Sequence, residues 1–253
     1  MQIDLNADAG ESYGTWSMGS DETLYPLLSS ANLACGFHAG DPVTIDTSVA
    51  LAAKHDVAVG AHPSFPDLVG FGRRPMALTP HQVRCDVAYQ IGALDVFLRL
   101  HDLVLHHVKP HGALAWAMGS DMNVARAVAE TVGSYRSDLP LVALAGPGGD
   151  AIRAAAEGTG VEVVPEGFPD RAYLPDGNLA PRRDEGSLVT DPTTVAQRAV
   201  RMAVRGEIEA RDGTVFVAEV RTLCIHGDNP RAVDIATAVR AALAEAGVTV
   251  APF

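Results

Sequence analysis

Strand-length apolar runs alternate with longer stretches of helical period along almost the whole chain, and this alternation constrains the fold more than any other feature. The strand-like runs are Ile3–Leu5, Ala31–Cys35, Val57–Gly60, Leu103–Val108, Leu141–Ala145, Val161–Pro165 and Thr222–Ile225. The helical stretches are Asp21–Ser29, Pro42–His55, Thr79–Leu100, Asp121–Tyr135, Asp150–Gly158, Pro192–Arg205 and Pro230–Ala246. Asp41-Pro42, Thr79-Pro80, Asp191-Pro192 and Asn229-Pro230 each set a capping side chain before a proline at the first helical position. Strand and helix in alternation predict a mostly parallel sheet. Seven repeats in 253 residues fit a closed or nearly closed α/β barrel of one domain, residues 1–253, better than an open doubly wound sheet. An extra strand is expected at Thr214–Val217 and a short last one within Val248–Phe253.

Six of the strand-like runs lead into polar clusters: Asp4–Glu11, Cys35–Asp41, Gly60–Pro63, Val108–Gly112, Glu166–Arg171 and Cys224–Asp228. In a parallel barrel those strand ends converge on one face, where such folds do chemistry. Asp4, Asn6 and Asp8 share one side of a strand. Inside a barrel they need partners or a function. The competing reading ends the strand near Leu5 and leaves the rest as a solvated turn. Glu11 follows within reach. His38, His62, His111 and His226 each come directly after an apolar run, beside aspartate or glycine, and together mark a site. His55, His81, His101 and His106 read as surface or packing residues, and His107 is ambiguous. Asp8, His38 and His62 have the chemistry of a divalent-metal site, or equally of hydrogen-bonding groups around a polar substrate.

Lys109-Pro110-His111 places a cation at a strand end, suited to neutralising a carboxylate or phosphate or to stabilising an oxyanion. Glu166 has the character of a general acid or base if partly buried near other carboxylates. Arg73, Arg74 and Arg171 are candidates for a bidentate grip on an anion, although at least one of Arg73 and Arg74 is expected to be only a surface salt-bridge residue. Two long connections, Ser64–Pro80 and Phe168–Thr190, are expected to wall or cover the site. Gly146-Pro147-Gly148-Gly149 is either a phosphate cradle or a plain strand-to-helix turn.

A formal net charge of −12 argues against a nucleic-acid partner and leaves room for a small anion held by a local basic pair. The three cysteines, Cys35, Cys85 and Cys224, form no CxxC and read as reduced thiols, with Cys35 and Cys224 packed in the core. No run approaches the ~20 apolar residues of a membrane span. The start of the chain has no signal-peptide pattern, so a cytoplasmic location is expected. No GxGxxG opens the chain and GxxxxGK[ST] is absent, so no standard nucleotide site is supported.

The polar clusters, taken together, resemble the LamB/YcsF family, the A subunits of prokaryotic 5-oxoprolinase. The matching stretches are DLNADAGE from Asp4, NLACGFHAGD from Asn32, GAHPSFPDLVGFGRR from Gly60, VKPHGAL from Val108, EGFPDRAY from Glu166, DGNLAPR from Asp176 and CIHGDNPRAV from Cys224. They are collinear across nearly the whole chain. Pro169 stands where the family usually has alanine, and Ala115-Trp116 where it usually has Tyr-Asn; neither departure removes a charge. The resemblance implies a seven-stranded barrel similar to polysaccharide deacetylases. It also implies ATP-dependent opening of 5-oxo-L-proline to L-glutamate, with B and C partner subunits. ATP, with Mg2+, would be a co-substrate and no tightly bound cofactor is expected. On that basis Asp8 or Glu166 activates water, and Lys109 and His111 stabilise the charged oxygen. His38, His62 and His226 orient substrate or phosphate, and Arg73 or Arg171 binds the substrate carboxylate. Asn6, Glu11 and Asp228 complete the binding set. The alternatives are a metal-dependent amide or ester hydrolase that works without ATP, and a non-catalytic substrate-binding subunit.

Overall fold

The computed structural model describes residues 1–229 and 231–253. Six parallel strands lie side by side in chain order: β1 Gln2–Ala9, β2 Ser30–Ala34, β3 Ala58–His62, β4 Leu105–Val108, β5 Leu141–Leu144 and β6 Val163–Gly167. An antiparallel hairpin follows, β7 Glu207–Glu209 with β8 Val215–Val217, and stands apart from this sheet. Strand β9, Thr222–Ile225, then inserts between β6 and β1 and closes the ring. The result is the closed seven-stranded parallel barrel that the alternation predicts. Strand β10, Thr249–Val250, adds a short parallel edge to the start of β1.

Helices α1 Asp21–Leu24, α2 Pro42–His55, α3 Pro80–Leu100, α4 Gly112–Ser120, α5 Met122–Tyr135, α6 Asp150–Ala156, α7 Pro192–Arg205 and α8 Ala232–Glu245 make up the helical layer. The cap-then-proline devices work as expected: Asp41 accepts from the Val43 and Thr44 amides, Asp191 from the Thr194 amide, and Thr79 forms a reciprocal capping box with Gln82. Pro230, expected at the head of the last helix, lies outside the described residues. None of the described helices is long and apolar enough to cross a membrane.

Three boundaries differ from the sequence reading in ways that matter. Strand β1 continues past Leu5 to Ala9, so Asp4, Asn6 and Asp8 all lie within it rather than in a solvated turn. Its odd-numbered residues Ile3, Leu5, Ala7 and Ala9 join the apolar core around the barrel, which leaves the even-numbered ones to the bore. Strand β6 begins and ends two residues later than expected, which brings Glu166 inside it. Helix α4 has no counterpart in the sequence reading. It starts directly after His111 with no side-chain cap, so its start has no capping signal.

The bore is polar and its groups are paired. Asp4 accepts from the Ser29 and Ser30 hydroxyls at 2.6 and 2.8 Å. Asn6 donates to Glu166 Oε1 at 2.9 Å and to the Thr222 hydroxyl at 2.6 Å. Asn32 donates to Asn6 Oδ1 and Asp8 Oδ1 at 2.7 and 3.0 Å. His107, on the inside of β4, meets Asn32 Oδ1 at 2.7 Å. Burial of so many polar atoms is tolerable because each finds a partner.

A register shift between Val59 and Gly60 sets Gly60 opposite His107, whose ring occupies the space where a β-carbon on Gly60 would go. Gly60→Ala should therefore cost about 1–3 kcal/mol through overpacking. Urea unfolding checks this, and an unchanged midpoint would show that the ring is free to move.

Candidate active site

The carboxyl ends of the seven strands bring the polar clusters together, and Lys109 sits at their centre. It leaves β4 just before Pro110, and its Nζ lies 3.0 Å from Asp8 Oδ1, 2.9 Å from Glu166 Oε1 and 3.0 Å from Cys224 Sγ. Asn6 Oδ1 is at 3.4 Å, and the Phe168 ring stands 5.3 Å away. Burial works against a charge on Lys109, but Asp8, Cys224 and Glu166 raise its pKa well above that of a free lysine. Burial likewise tends to raise the Asp8 pKa, yet His62 and Lys109 hold it well below the usual carboxylate range. For Glu166 burial wins over Lys109, and its pKa is raised. Two carboxylates on one ammonium thus differ in proton affinity, the condition for one to stay ionised while the other exchanges protons.

A histidine cluster adjoins this centre. His62 Nδ1 lies 2.5 Å from the Lys109 carbonyl and His111 Nε2 2.9 Å from the Phe71 carbonyl. A carbonyl only accepts, so each of these nitrogens carries the proton. The other two nitrogens, His62 Nε2 and His111 Nδ1, face each other at 3.0 Å. Asp8 Oδ2 is 3.3 Å from His62 Nε2, and Glu11 Oε1 is 3.3 Å from His38 Nε2. The His38 ring stacks flat on His111 with centroids 3.9 Å apart. Burial and the neighbouring imidazoles push the pKa values of His38 and His111 well below that of free histidine. Burial, with Asp8 and Asp228 nearby, raises Glu11 well above its usual value.

The alternative metal trio Asp8, His38 and His62 is split between two donor groups. Glu11, His38, His62 and His111 have donor atoms all within 4.8 Å of one another, and Asp8 groups instead with Cys224 and His226.

Both long connections reach the site. In the first, Gly72 has φ +64°, and a β-carbon there would come within 2.8 Å of the His111 ring and 2.9 Å of His38, so the loop backbone lies directly on the cluster. Its Arg73 reaches Asp228 at 2.7 Å, while Arg74 pairs with Asp67 inside the same loop and is the more exposed of the two. In the second, Arg182 also reaches Asp228, at 3.0 Å, so both loops meet over one carboxylate. Arg171 is committed elsewhere: its guanidinium donates to the Ser187 and Ala180 carbonyls and holds its own loop. His226 is fixed by Asp170, which accepts from its ring Nδ1 and its backbone amide, both at 2.9 Å. The glycines after β5 serve as a turn: a β-carbon on Gly148 would meet Leu144 and the Gly177 carbonyl, and one on Gly149 the Leu144 carbonyl.

Sequence reasoning does not single out Asn32, Asp170 or Arg182 and leaves His107 ambiguous; it places Cys224 in the core, where the structure buries it, but misses its contact with Lys109. Cys35 is a core thiol as expected, with Sγ 3.1 Å from the Leu33 carbonyl, and Cys85 is exposed. Cys224 shares the parity of Thr222 and His226 along β9, and that alternation is the signal for a bore-facing sulfur.

A closed parallel barrel whose polar residues converge on a buried lysine at the strand ends defines an α/β-barrel protein with a candidate site in the bore mouth. This chain belongs to the LamB/YcsF family, whose family model matches residues 3–253. It is 55% identical over 253 residues, all of both chains, to a protein from Thermus thermophilus named as the A subunit of 5-oxoprolinase. It is 47% identical to one of the same name from Pyrococcus furiosus, over 100% of this chain and 98% of that one. The crystal structure of a lactam utilization protein, also from Thermus thermophilus, superposes with a TM-score of 0.94 at 54% identity, covering all of both chains. A putative cellobiose-phosphate cleavage protein from Enterococcus faecalis superposes at 0.62 with 13% identity, over 99% of this chain and 97% of that one, and shares the fold alone.

Proposed function

We propose that this chain is the A component of an ATP-dependent 5-oxoprolinase, opening 5-oxo-L-proline to L-glutamate together with B and C subunits. The observation that carries the reading is the buried Lys109 between Asp8 and Glu166, in a chain closely similar to relatives that bear the 5-oxoprolinase name. A five-membered lactam is a stable amide and needs activation. ATP phosphorylates the lactam oxygen and leaves as ADP, and Mg2+ arrives on the nucleotide's phosphates. Water adds to the former carbonyl carbon and gives up its proton to a base. The ring nitrogen takes a proton and departs as the α-amino group, leaving an acyl phosphate. A second water releases phosphate and completes glutamate.

In this scheme Glu166, with its raised pKa, takes the proton from water. Lys109 stabilises the oxygen that gains charge, and Asp8 holds Lys109 in place. Arg73 and Arg182 exchange Asp228 for the substrate carboxylate, because Arg171 is occupied by backbone carbonyls. The chain has no standard nucleotide motif, which is why partner subunits belong to the reading.

The test is glutamate formation from 5-oxo-L-proline by the purified full chain, alone and with B and C subunits, with and without ATP. Turnover that needs both ATP and partners is expected. Glutamate formed without ATP and abolished by a chelator would replace this reading with metal-dependent amide hydrolysis.

A further inference from the structure

His62 Nε2 and His111 Nδ1 meet head-on, as do His106 Nδ1 and His107 Nδ1 on β4, but of the two pairs, among the described residues, only the first has carboxylate oxygens within 4.0 Å. In that pair each ring donates its other N–H to a main-chain carbonyl, Lys109 O and Phe71 O respectively. Two lone pairs then face each other at 3.0 Å, with the rings nearly perpendicular at 83°. Such a pair repels unless a cation stands between the nitrogens. Glu11 Oε1 lies 3.9 Å from His111 Nδ1 and offers a carboxylate oxygen as a third donor. Asp8 Oδ2 lies 3.3 Å from His62 Nε2, so a carboxylate oxygen stands beside each of the two nitrogens.

His38 is near enough to be counted in the cluster, but it is wrongly oriented to share an ion with His111. The two rings are parallel to within 4° and stacked 3.9 Å apart, so their in-plane lone pairs lie in separate planes. Instead His38 Nε2 touches Glu11 Oε1 at 3.3 Å and holds that carboxylate.

We propose that His62 Nε2, His111 Nδ1 and Glu11 Oε1 form a three-donor site for a divalent transition-metal ion such as Zn2+, with His38 as a positioning residue behind Glu11. Two metal–nitrogen bonds of about 2.05 Å across the 3.0 Å gap meet at roughly 94°, between the octahedral and tetrahedral angles. Two imidazoles and a carboxylate, with the ligating imidazoles anchored through their second nitrogens, are the donor set and support that zinc or ferrous iron takes. The hard, oxygen-seeking Mg2+ and Ca2+ are disfavoured. The remaining coordination positions are left for water or a substrate oxygen. The inference stands apart from the lactam reading, since metal binding is measured without turnover and ATP-dependent ring opening does not require it.

The test is titration of Co2+ and Zn2+ into the chelator-stripped full chain, followed by calorimetry and, for Co2+, visible absorption. One tightly bound equivalent is expected, with a Tm that rises with Zn2+. Glu11→Gln and His111→Ala should each weaken binding at least ~10-fold, and His38→Ala by about 10–100-fold as an outer-sphere partner. His81→Ala should leave binding unchanged; it removes the exposed His81–Cys85 pair, the obvious adventitious chelator. No stoichiometric binding, or binding that survives His62→Ala and His111→Ala, overturns the proposal. Should those variants fail to fold, anomalous diffraction from Zn2+-soaked wild-type crystals decides it: an ion between His62 and His111 supports the site, and an ion elsewhere or none refutes it.

Discussion

Lys109→Met is expected to destabilise the protein by about 3–5 kcal/mol, because it leaves two buried carboxylates facing a thioether. The side chain is 7% exposed and its ammonium contacts Asp8 Oδ1 and Glu166 Oε1 within 3.0 Å. Methionine keeps most of the packing volume, so the loss measures the charge rather than a cavity. Against a typical stability of ~5–15 kcal/mol the effect is large, and it corresponds to a fall in Tm on the order of 10 °C for a chain of this size. Turnover by variant protein that still folds should drop by about 100-fold or more, since the group proposed to stabilise the charged oxygen is gone. Thermal and urea unfolding measure the first effect, and glutamate release with partner subunits measures the second. The double variant Lys109→Met/Glu166→Gln should recover part of the stability, because one orphaned carboxylate is removed with its counterion. A single variant as stable as wild type would mean that Asp8 and Glu166 take up protons at no cost, and the ion-pair account of the bore would fall.

Parts of this arrangement are legible in the sequence for physical reasons that also explain where the reading stops. The clusters after each apolar run are visible because a parallel barrel must put its loops on one face. Alternation along β1 already separates Ile3, Leu5, Ala7 and Ala9 from Asp4, Asn6 and Asp8. What alternation does not give is register. Lys109 meets Glu166 because β9 closes the ring beside β6 and β1, with Thr222 opposite Glu166 on one side and Asp4 on the other. No local pattern encodes that closure. The same limit explains the arginines: Arg73 and Arg171 look alike as candidate anion binders, yet one reaches Asp228 at the rim and the other is spent on the Ser187 and Ala180 carbonyls. Asp170 gives no sign in the sequence that it orients His226 across 56 residues. Cys224 is buried in the core as its apolar neighbours along the chain suggest, but those neighbours give no sign of the lysine that its sulfur meets. Leu223 and Ile225 face the core, while the sulfur between them sits 3.0 Å from Lys109.

Glu166→Gln should lower turnover by about 100-fold or more and also remove the acid limb of the pH–rate profile. Glutamine preserves the hydrogen bond that Glu166 Oε1 accepts from Asn6 and keeps the side chain's volume, so the barrel should persist. The side chain is 3% exposed, and burial raises its pKa above the ordinary glutamate value of ~4.3 despite the Lys109 charge. A base with a raised pKa is protonated and inactive below that pKa, so wild-type turnover should climb as pH rises through it. In Glu166→Gln the residual rate should lack this rise, because no proton is left to lose at that position. Asp8 does not substitute for it. With His62 and Lys109 holding its pKa well below the usual range, Asp8 stays ionised across the same window and contributes no limb there. A variant that retained the full acid limb would transfer the base to another group. A variant with near-normal turnover would leave Glu166 as a counterion for Lys109 and nothing more.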